Sequence, residues 1–395
     1  MIKRIIYAMI GGMMLLAGCD TEPKYDVLET TMQTGTEEKK TAASEENLAM
    51  KDCTDVMENI WDIYEQCEKD ENQRRIITDS IEEAMIQRIG DMGYFVSSIS
   101  DYKTICNYEK MDTFLKNAQK GKSGECIYYE VHSDGGVGRY QFIFDGKEMH
   151  SLYIKAAWNA KTGKVNMNSS YDKIKRWKYT KKGWFEYELV VPTVPEVSEV
   201  INANALIRVK PLNKDCLEMT VKYVKPLGYQ GNNLLCSNWD SEHLDQIDYN
   251  GLYEYLYYMK TGKQVQENQY ENGIPKKEFE NLLTTYLPVT NEQLEQYAVF
   301  DTKTQTYAWE RLGCLNYSPN EFGTSIPEVT NVIKQEDGTY LLQIDVVCEM
   351  AGSDCVMSHE LIIAIENGTV RYLKNRVLEN GLEKIPRYQY RMEKK

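Results

Sequence analysis

Apolar residues recur along this chain with two rhythms. From Asn47 to Glu68 they fall at Cys53, Val56, Met57, Ile60, Tyr64 and Cys67. Steps of three and four put them on one face of a helix. Asn72 to Ile89 repeats the spacing through Ile77, Ile81, Ala84, Met85 and Ile89, and Gly90 suits the turn that ends it. A short helix is expected after Asp112. Beyond it the period drops to two, predicting strands at about 125–132, 138–145, 149–158, 173–180 and 184–190, with turn signals at Asp145-Gly146 and Lys182-Gly183. Phe185, Tyr187 and Leu189 alternate as one face of a half-buried strand does.

Val191 to Glu199 is polar and carries Pro192 and Pro195, which disfavour helix and mark a domain boundary. The second unit opens with a strand at Ile207 to Val209. Helices follow from Lys214 to Val224, from a cap at Asp248 to Lys260, and over 275–285 behind Pro275; Thr290 and Gln293 form a capping box for another. The last hundred residues predict strands at 305–310, 328–335, 339–349, 355–365 and 369–377, with hairpin turns at Asp337-Gly338 and Asn367-Gly368. The pattern is α+β: two domains, 47–195 and 196–380, each helices followed by an antiparallel meander, and a tail at 381–395. Helices on one face of a curved sheet make the C-terminal domain resemble a cystatin-like or nuclear-transport-factor-like cone, a shape that hosts many functions.

The N-terminus has a different character. Lys3 and Arg4 precede an apolar run of 13 residues, Ile5 to Ala17. A membrane-spanning helix needs about 20, so the run fits the core of a secretory signal. It ends in Leu16-Ala17-Gly18-Cys19, which resembles a bacterial lipobox. The expectation is a signal peptide at 1–18 and a diacylglyceryl thioether on Cys19. Each buried methylene of such a group contributes about 0.8 kcal/mol to anchoring. Residues 19–46 are rich in Thr, Glu, Lys and Ser and are expected to be a disordered tether, with a reach of about 30 Å. The membrane is thus one expected partner, met from its extracytoplasmic face.

Composition narrows the rest. The net charge is −14, from 46 basic and 60 acidic residues, and such a surface repels nucleic-acid phosphates. There are 10 cysteines and no Cys-x-x-Cys. Cys53 and Cys67 lie about 21 Å apart along one helix, too far to bridge, and are expected to be core thiols. Cys348 and Cys355 flank a hairpin tip. With Ala351-Gly352 as the turn they would face each other, a candidate disulfide contributing about 2 kcal/mol.

Several motifs suggest chemistry and fail on context. Ser100-Asp101-Tyr102-Lys103 and Lys161-Thr162-Gly163 echo a penicillin-binding enzyme, but the 57 residues between them leave no room for its helical domain, and the triplet recurs at Lys260-Thr261-Gly262. Gly121-Lys122-Ser123 lacks the leading glycine of a phosphate loop. Asp240, Glu242, Asp245 and Asp248 surround His243, but Leu244 breaks the ligand spacing of a calcium loop. His132-Ser133-Asp134-Gly135-Gly136 reads first as a turn. No metal or other cofactor is expected. Two features survive. His359 shares a strand face with Cys355, Met357, Leu361, Ile363 and Ile365: an imidazole on an apolar surface, either a satisfied core group or part of a cavity lining. The chain also holds 29 Tyr against 8 Phe, and Tyr249, Tyr253, Tyr257 and Met259 lie on or near one helix. A flat ring with a polar tip suits sugar or peptide contact, and equally a core with a wet edge.

The succession Arg208-Val209-Lys210-Pro211-Leu212, Cys216, Lys222-Tyr223-Val224-Lys225-Pro226-Leu227-Gly228-Tyr229, Asn232-Asn233-Leu234-Leu235 and Asn238-Trp239-Asp240 resembles the uncharacterised bacterial lipoproteins catalogued as domain of unknown function 6070. The likeness runs from about residue 50 to 380 and includes Ser358-His359-Glu360. It implies a Gram-positive cell surface and brings no activity or catalytic residue. Candidate pocket residues are therefore His359, Trp239, Tyr253 and Tyr257. The function expected is non-catalytic binding of an extracellular ligand or envelope protein; the competing expectation is an envelope hydrolase acting on glycans or peptides.

Overall fold

The computed structural model describes residues 36–71, 73–98, 103–159, 162–192, 202–266, 268–312 and 320–392. Cys19, Ser100 and Lys161 lie outside them. The chain divides into two compact units, one ending at Ala203 but taking in Ile207–Pro211, the other made of Asn204–Leu206 and Leu212–Lys395. The architecture is α+β.

The first unit begins with α1 (Thr36–Glu65) and α2 (Asp79–Asp91), then β1 (Phe95–Ser98), β2 (Ile105–Cys106) and α3 (Tyr108–Ala118). The strands β3 (Gly124–Val131), β4 (Val137–Phe144), β5 (Met149–Trp158), β6 (Val165–Tyr179) and β7 (Trp184–Leu189) follow as a meander, and β8 (Asn204–Arg208) completes an eight-stranded sheet of order β2-β1-β3-β4-β5-β6-β7-β8. β1 lies parallel to β3, and β2 and α3 form the crossover between them. Cys53, Val56, Met57 and Ile60 of α1 and Met85, Ile86 and Ile89 of α2 pack on Val96, Tyr129, Val131, Leu152, Ile154 and Ala156 of the sheet. Beneath α1, Asp52 accepts hydrogen bonds from Arg139 Nε (2.7 Å), Tyr129 Oη (2.9 Å) and Tyr94 Oη. The expected turn at Asp145-Gly146 forms: Asp145 Oδ1 accepts from the amides of Lys147 and Glu148, and Gly146 takes φ 103°.

α1 starts at Thr36, so its first turns occupy part of the segment expected to be a tether. Glu37, Glu38, Lys39, Lys40, Ala42 and Ala43 are strong helix formers, and they extend a helix that residues beyond Ser44 anchor to the core.

The second unit contains α4 (Lys214–Met219), prolonged by a π turn at Thr220–Val224, then α5 (Tyr249–Thr261), β9 (Ile274–Pro275), α6 (Lys276–Tyr286), α7 (Asn291–Tyr297), β10 (Phe300–Asp301) and β11 (Thr306–Tyr307). The strands β12 (Ile326–Lys334), β13 (Tyr340–Cys348), β14 (Ser353–Glu366) and β15 (Thr369–Val377) form an antiparallel meander, and α8 (Gly381–Lys384) follows. Asp248 caps α5 through Gly251 N (2.9 Å), and both bonds of the Thr290–Gln293 capping box are made. Val329, Leu342, Ile344, Leu361, Ile363 and Tyr372 of the meander share one core with Leu252, Leu256, Phe279 and Leu283 of the helices. The strand expected at 305–310 is only Thr306–Tyr307, paired with β9 and β10 in a separate small sheet.

In the segment expected to be a tail, Tyr388 Oη donates to Asp248 Oδ2 (2.8 Å), and Arg391, its side chain wholly buried, grips Glu254 (2.7 Å) and the Glu310 carbonyl. The candidate disulfide is corrected. Cys348 and Cys355 are free thiols. An irregularity after Val346 shifts the register so that Cys348 faces Ser353. Cys348 Sγ donates to the Glu321 carbonyl (3.5 Å), and Cys355 Sγ lies 3.3 Å from Ser358 Oγ. Among the described residues no helix is long and apolar enough to cross a membrane.

Candidate functional site

His359 sits in the middle of β14, between Ile344 of β13 and Val377 of β15, and is fully buried. Its bonds fix its tautomer. Asn375 Nδ2 donates to the carbonyls of Leu235 (3.2 Å) and Ser237 (2.7 Å), so Asn375 Oδ1 is an acceptor for His359 Nδ1 at 2.7 Å. Nε2 then accepts from Tyr229 Oη at 2.8 Å. Burial disfavours the imidazolium and pushes the pKa from 6.5 down to about 4, so the ring is neutral at physiological pH. Trp239 belongs to the same knot. It exchanges both backbone bonds with Asn375 (3.1 and 3.0 Å), and its Nε1 donates to the Leu234 carbonyl (2.7 Å). Both ring nitrogens of His359 and the indole N–H are occupied, so neither side chain is open to a ligand.

The tyrosines form a second, more open arrangement. Tyr253 of α5 stacks on Phe279 of α6 (5.4 Å between centroids), and Phe279 stacks on Tyr307 of β11 (4.0 Å). The hydroxyls of Tyr253 and Tyr270 are 3.0 Å apart, and both donate to Glu278 Oε1, Tyr253 at 2.9 Å. Burial, with Glu278 alongside, raises the Tyr253 pKa and pushes Tyr270 to about 12, so both hydroxyls stay protonated donors. Tyr257, one turn beyond Tyr253, is half-buried, and Tyr258 is exposed. Gln269 Nε2 bonds Tyr270 Oη (2.9 Å). The half-buried Trp309 meets Tyr270 edge-on at 6.0 Å, and its Nε1 is buried with no hydrogen-bond partner among the described residues. Tyr253 and Tyr257 thus stand together, apart from the His359–Trp239 knot.

The remaining motifs are structural. His243 Nδ1 is 2.8 Å from Asp240 Oδ1, which raises the His243 pKa, while Asp248 is the buried cap of α5. Asp134 Oδ1 accepts from Gly136 N and builds a turn; it does not meet His132, which is buried with Nε2 3.7 Å from Glu130. Gly262 closes α5 at φ 67°, which makes Lys260-Thr261-Gly262 a helix end. No group of three metal-ligating side chains occurs among the described residues.

Sequence reasoning missed Tyr229 and Asn375, the partners of His359, and Tyr270, Glu278 and Trp309 beside Tyr253. Helical spacing links Tyr253 to Tyr257, but no local period links either to Tyr270 or Trp309 in the following loops.

Fold and site together define a two-unit α+β protein with a closed histidine knot and a tyrosine–tryptophan cluster in which Tyr253 and Tyr270 are buried and Tyr257 and Trp309 half-buried. The chain belongs to a family of unknown function (DUF6070), whose model matches residues 46–391. No curated protein and no solved structure matches it.

Proposed function

We propose that this protein is a lipoprotein held by an acylated Cys19 at the extracytoplasmic face of the cell membrane, and that its second unit binds a glycan without turning it over. The anchor rests on the Lys3-Arg4 pair, the Ile5–Ala17 run and the Leu16–Cys19 box. The binding role rests on one observation: a buried indole donor at Trp309, without an acceptor among the described residues, stands beside Tyr270 on the rim that includes Glu278 and Tyr257. The half-buried rings of Tyr257 and Trp309 offer flat faces to sugar C–H groups, and Trp309 Nε1, buried in the free protein, supplies a donor for a sugar hydroxyl once its side chain turns toward the ligand. Glu278 Oε1 is already taken by two hydroxyls, which leaves its other oxygen to orient a ligand.

A β-1,4-linked N-acetylglucosamine trimer is the first probe, followed by tryptophan fluorescence. Saturable quenching is expected, with Trp309→Ala weakening it at least ten-fold, about 1.4 kcal/mol. No saturable change, or release of new reducing ends, overturns the binding reading; the latter points to hydrolysis. The anchor is tested separately. Cys19→Ser is expected to free the protein from membranes or leave its leader uncut, and a variant that fractionates and migrates like the wild type refutes acylation.

A further inference from the structure

Among the described residues, half of β6 has a strand on one edge only. β5 pairs with it along Val165–Ile174, whereas β7 meets it only from Ile174 to Tyr179. The last bond on the β7 side runs from Val190 N to Lys173 O (2.8 Å). Among the described residues no strand flanks Val165–Asp172 on that side. Since Lys173 turns its carbonyl outward, the amides and carbonyls of the other odd-numbered residues, Val165, Met167, Ser169 and Tyr171, point outward too. Asn166, Asn168, Ser169 and Tyr171 are exposed, Tyr171 by 58%.

An open edge is a template for another strand, and proteins usually blunt it with proline, a charge or a bulge. Val165-Asn166-Met167-Asn168-Ser169-Ser170-Tyr171 has neither proline nor charge. The charges stand at its ends: Lys164, with no ion pair among the described residues, and Asp172, which accepts from Ser170 Oγ (2.7 Å).

We propose that this edge pairs antiparallel with the same edge of a second copy, about a dyad through Asn168. In that register Lys164 of each copy faces Asp172 of the other, Val165 faces Tyr171, Asn166 faces Ser170 and Met167 faces Ser169. The odd-numbered pairs are the hydrogen-bonded ones, giving about eight backbone bonds, and the two Asn168 Cα atoms approach to about 4.5 Å. Cross-strand pairs of opposite charge stabilise such a ladder, and the neighbouring registers lose both of them. With the dyad at Ser169, Lys173 faces Val165 and Asp172 faces Asn166. With it at Met167, Lys164 faces Ser170 and Asp172 faces Thr162. A dyad normal to the joined sheet also puts α1 of both copies on one side, so two N-terminal anchors would reach the same bilayer.

The test is disulfide trapping of the full-length chain in cell membranes. Mild oxidation of Asn168→Cys is expected to give a cross-linked homodimer on a non-reducing gel, roughly five-fold above Asn166→Cys or Ser170→Cys, because only residue 168 meets its own copy at disulfide distance. The eight described native cysteines are buried or half-buried, and the wild type sets the background. In the Asn168→Cys chain, Lys164→Glu and Asp172→Lys are each expected to lower the dimer yield, and the two together to restore it. Ser169→Pro removes an outward amide and is expected to abolish it. The proposal fails if Asn168→Cys cross-links no better than Asn166→Cys, if the double charge reversal does not restore what each single one removes, or if residue 168 is captured by a different protein.

Discussion

His359→Gln measures what the buried imidazole does to stability. In the folded chain burial holds His359 near 4, against an ordinary 6.5. A base whose pKa is lower in the folded state refuses a proton that the unfolded chain accepts. The unfolded state therefore binds more protons between pH 4 and 6.5, and stability falls as pH drops through that window. One proton over about 2.5 pH units corresponds to about 3 kcal/mol, of which about 2 kcal/mol is lost between pH 7.5 and 5. Full burial leaves no solvent screening to reduce it. Urea unfolding of wild type and His359→Gln at both pH values, followed by tryptophan fluorescence, isolates the effect, since the other titrating groups are common to both chains. The variant is expected to be less stable at pH 7.5 by about 1–3 kcal/mol, having disturbed the bonds to Tyr229 and Asn375. Its loss on acidification should be about 2 kcal/mol smaller than the wild type's. Matching slopes, within about 0.5 kcal/mol, would show that His359 takes up its proton without leaving the folded state, and would refute the argument.

His243 behaves in the opposite sense. Asp240 raises its pKa, so the pair's contribution is complete below 6.5 and disappears as pH rises through the raised value; an NMR titration should place His243 above 6.5, and Asp240→Asn should bring it down. Arg391→Ala removes a buried partner of Glu254 and is expected to destabilise the second unit by about 3 kcal/mol in thermal or urea unfolding, with a change under 1 kcal/mol counting against a docked C-terminus. Denatured, unreduced protein treated with iodoacetamide should carry a label on both Cys348 and Cys355 in a peptide map; an unlabelled pair would reinstate the disulfide. In native protein Cys53, Cys126 and Cys236, whose thiols burial raises to about 12, should resist the same reagent at pH 8, and rapid labelling would contradict their burial.

The elements legible in the sequence are those whose signals are local. Asp248, Thr290 and Gln293 announce helix starts by hydrogen bonds that span three residues, and Asp337-Gly338 and Asn367-Gly368 sit between strands they directly join. β1 carried no such signal. All four of its residues are buried, so Phe95–Ser98 shows no alternation, and its parallel partner β3 lies beyond a strand and a helix. The Cys348–Cys355 pairing failed for a related reason: simple counting around a hairpin tip assumes an unbroken ladder, and the irregularity after Val346 moved the register. Tyr388 and Arg391 had no periodic context. Their partners Asp248 and Glu254 are about 140 residues earlier in the chain.

The residues that carry the family likeness explain why likeness alone leads to no activity. Tyr229 is spent on His359, Asn232 on the Leu227 carbonyl, Asn233 on the Gln246 carbonyl and the Asp248 amide, and Trp239 on Leu234 and Asn375. These bonds tie an irregular stretch of backbone to β14 and β15, where unpaired polar groups would be costly. These four side chains therefore serve the folding of that stretch, and the bonds they make are internal. Recognition has to come from groups the fold does not consume. Among the described residues of the second unit the Trp309 indole N–H and the second oxygen of Glu278 carry no such bond, whereas both ring nitrogens of His359 do, and the proposed glycan site is placed at the tyrosine cluster on that ground.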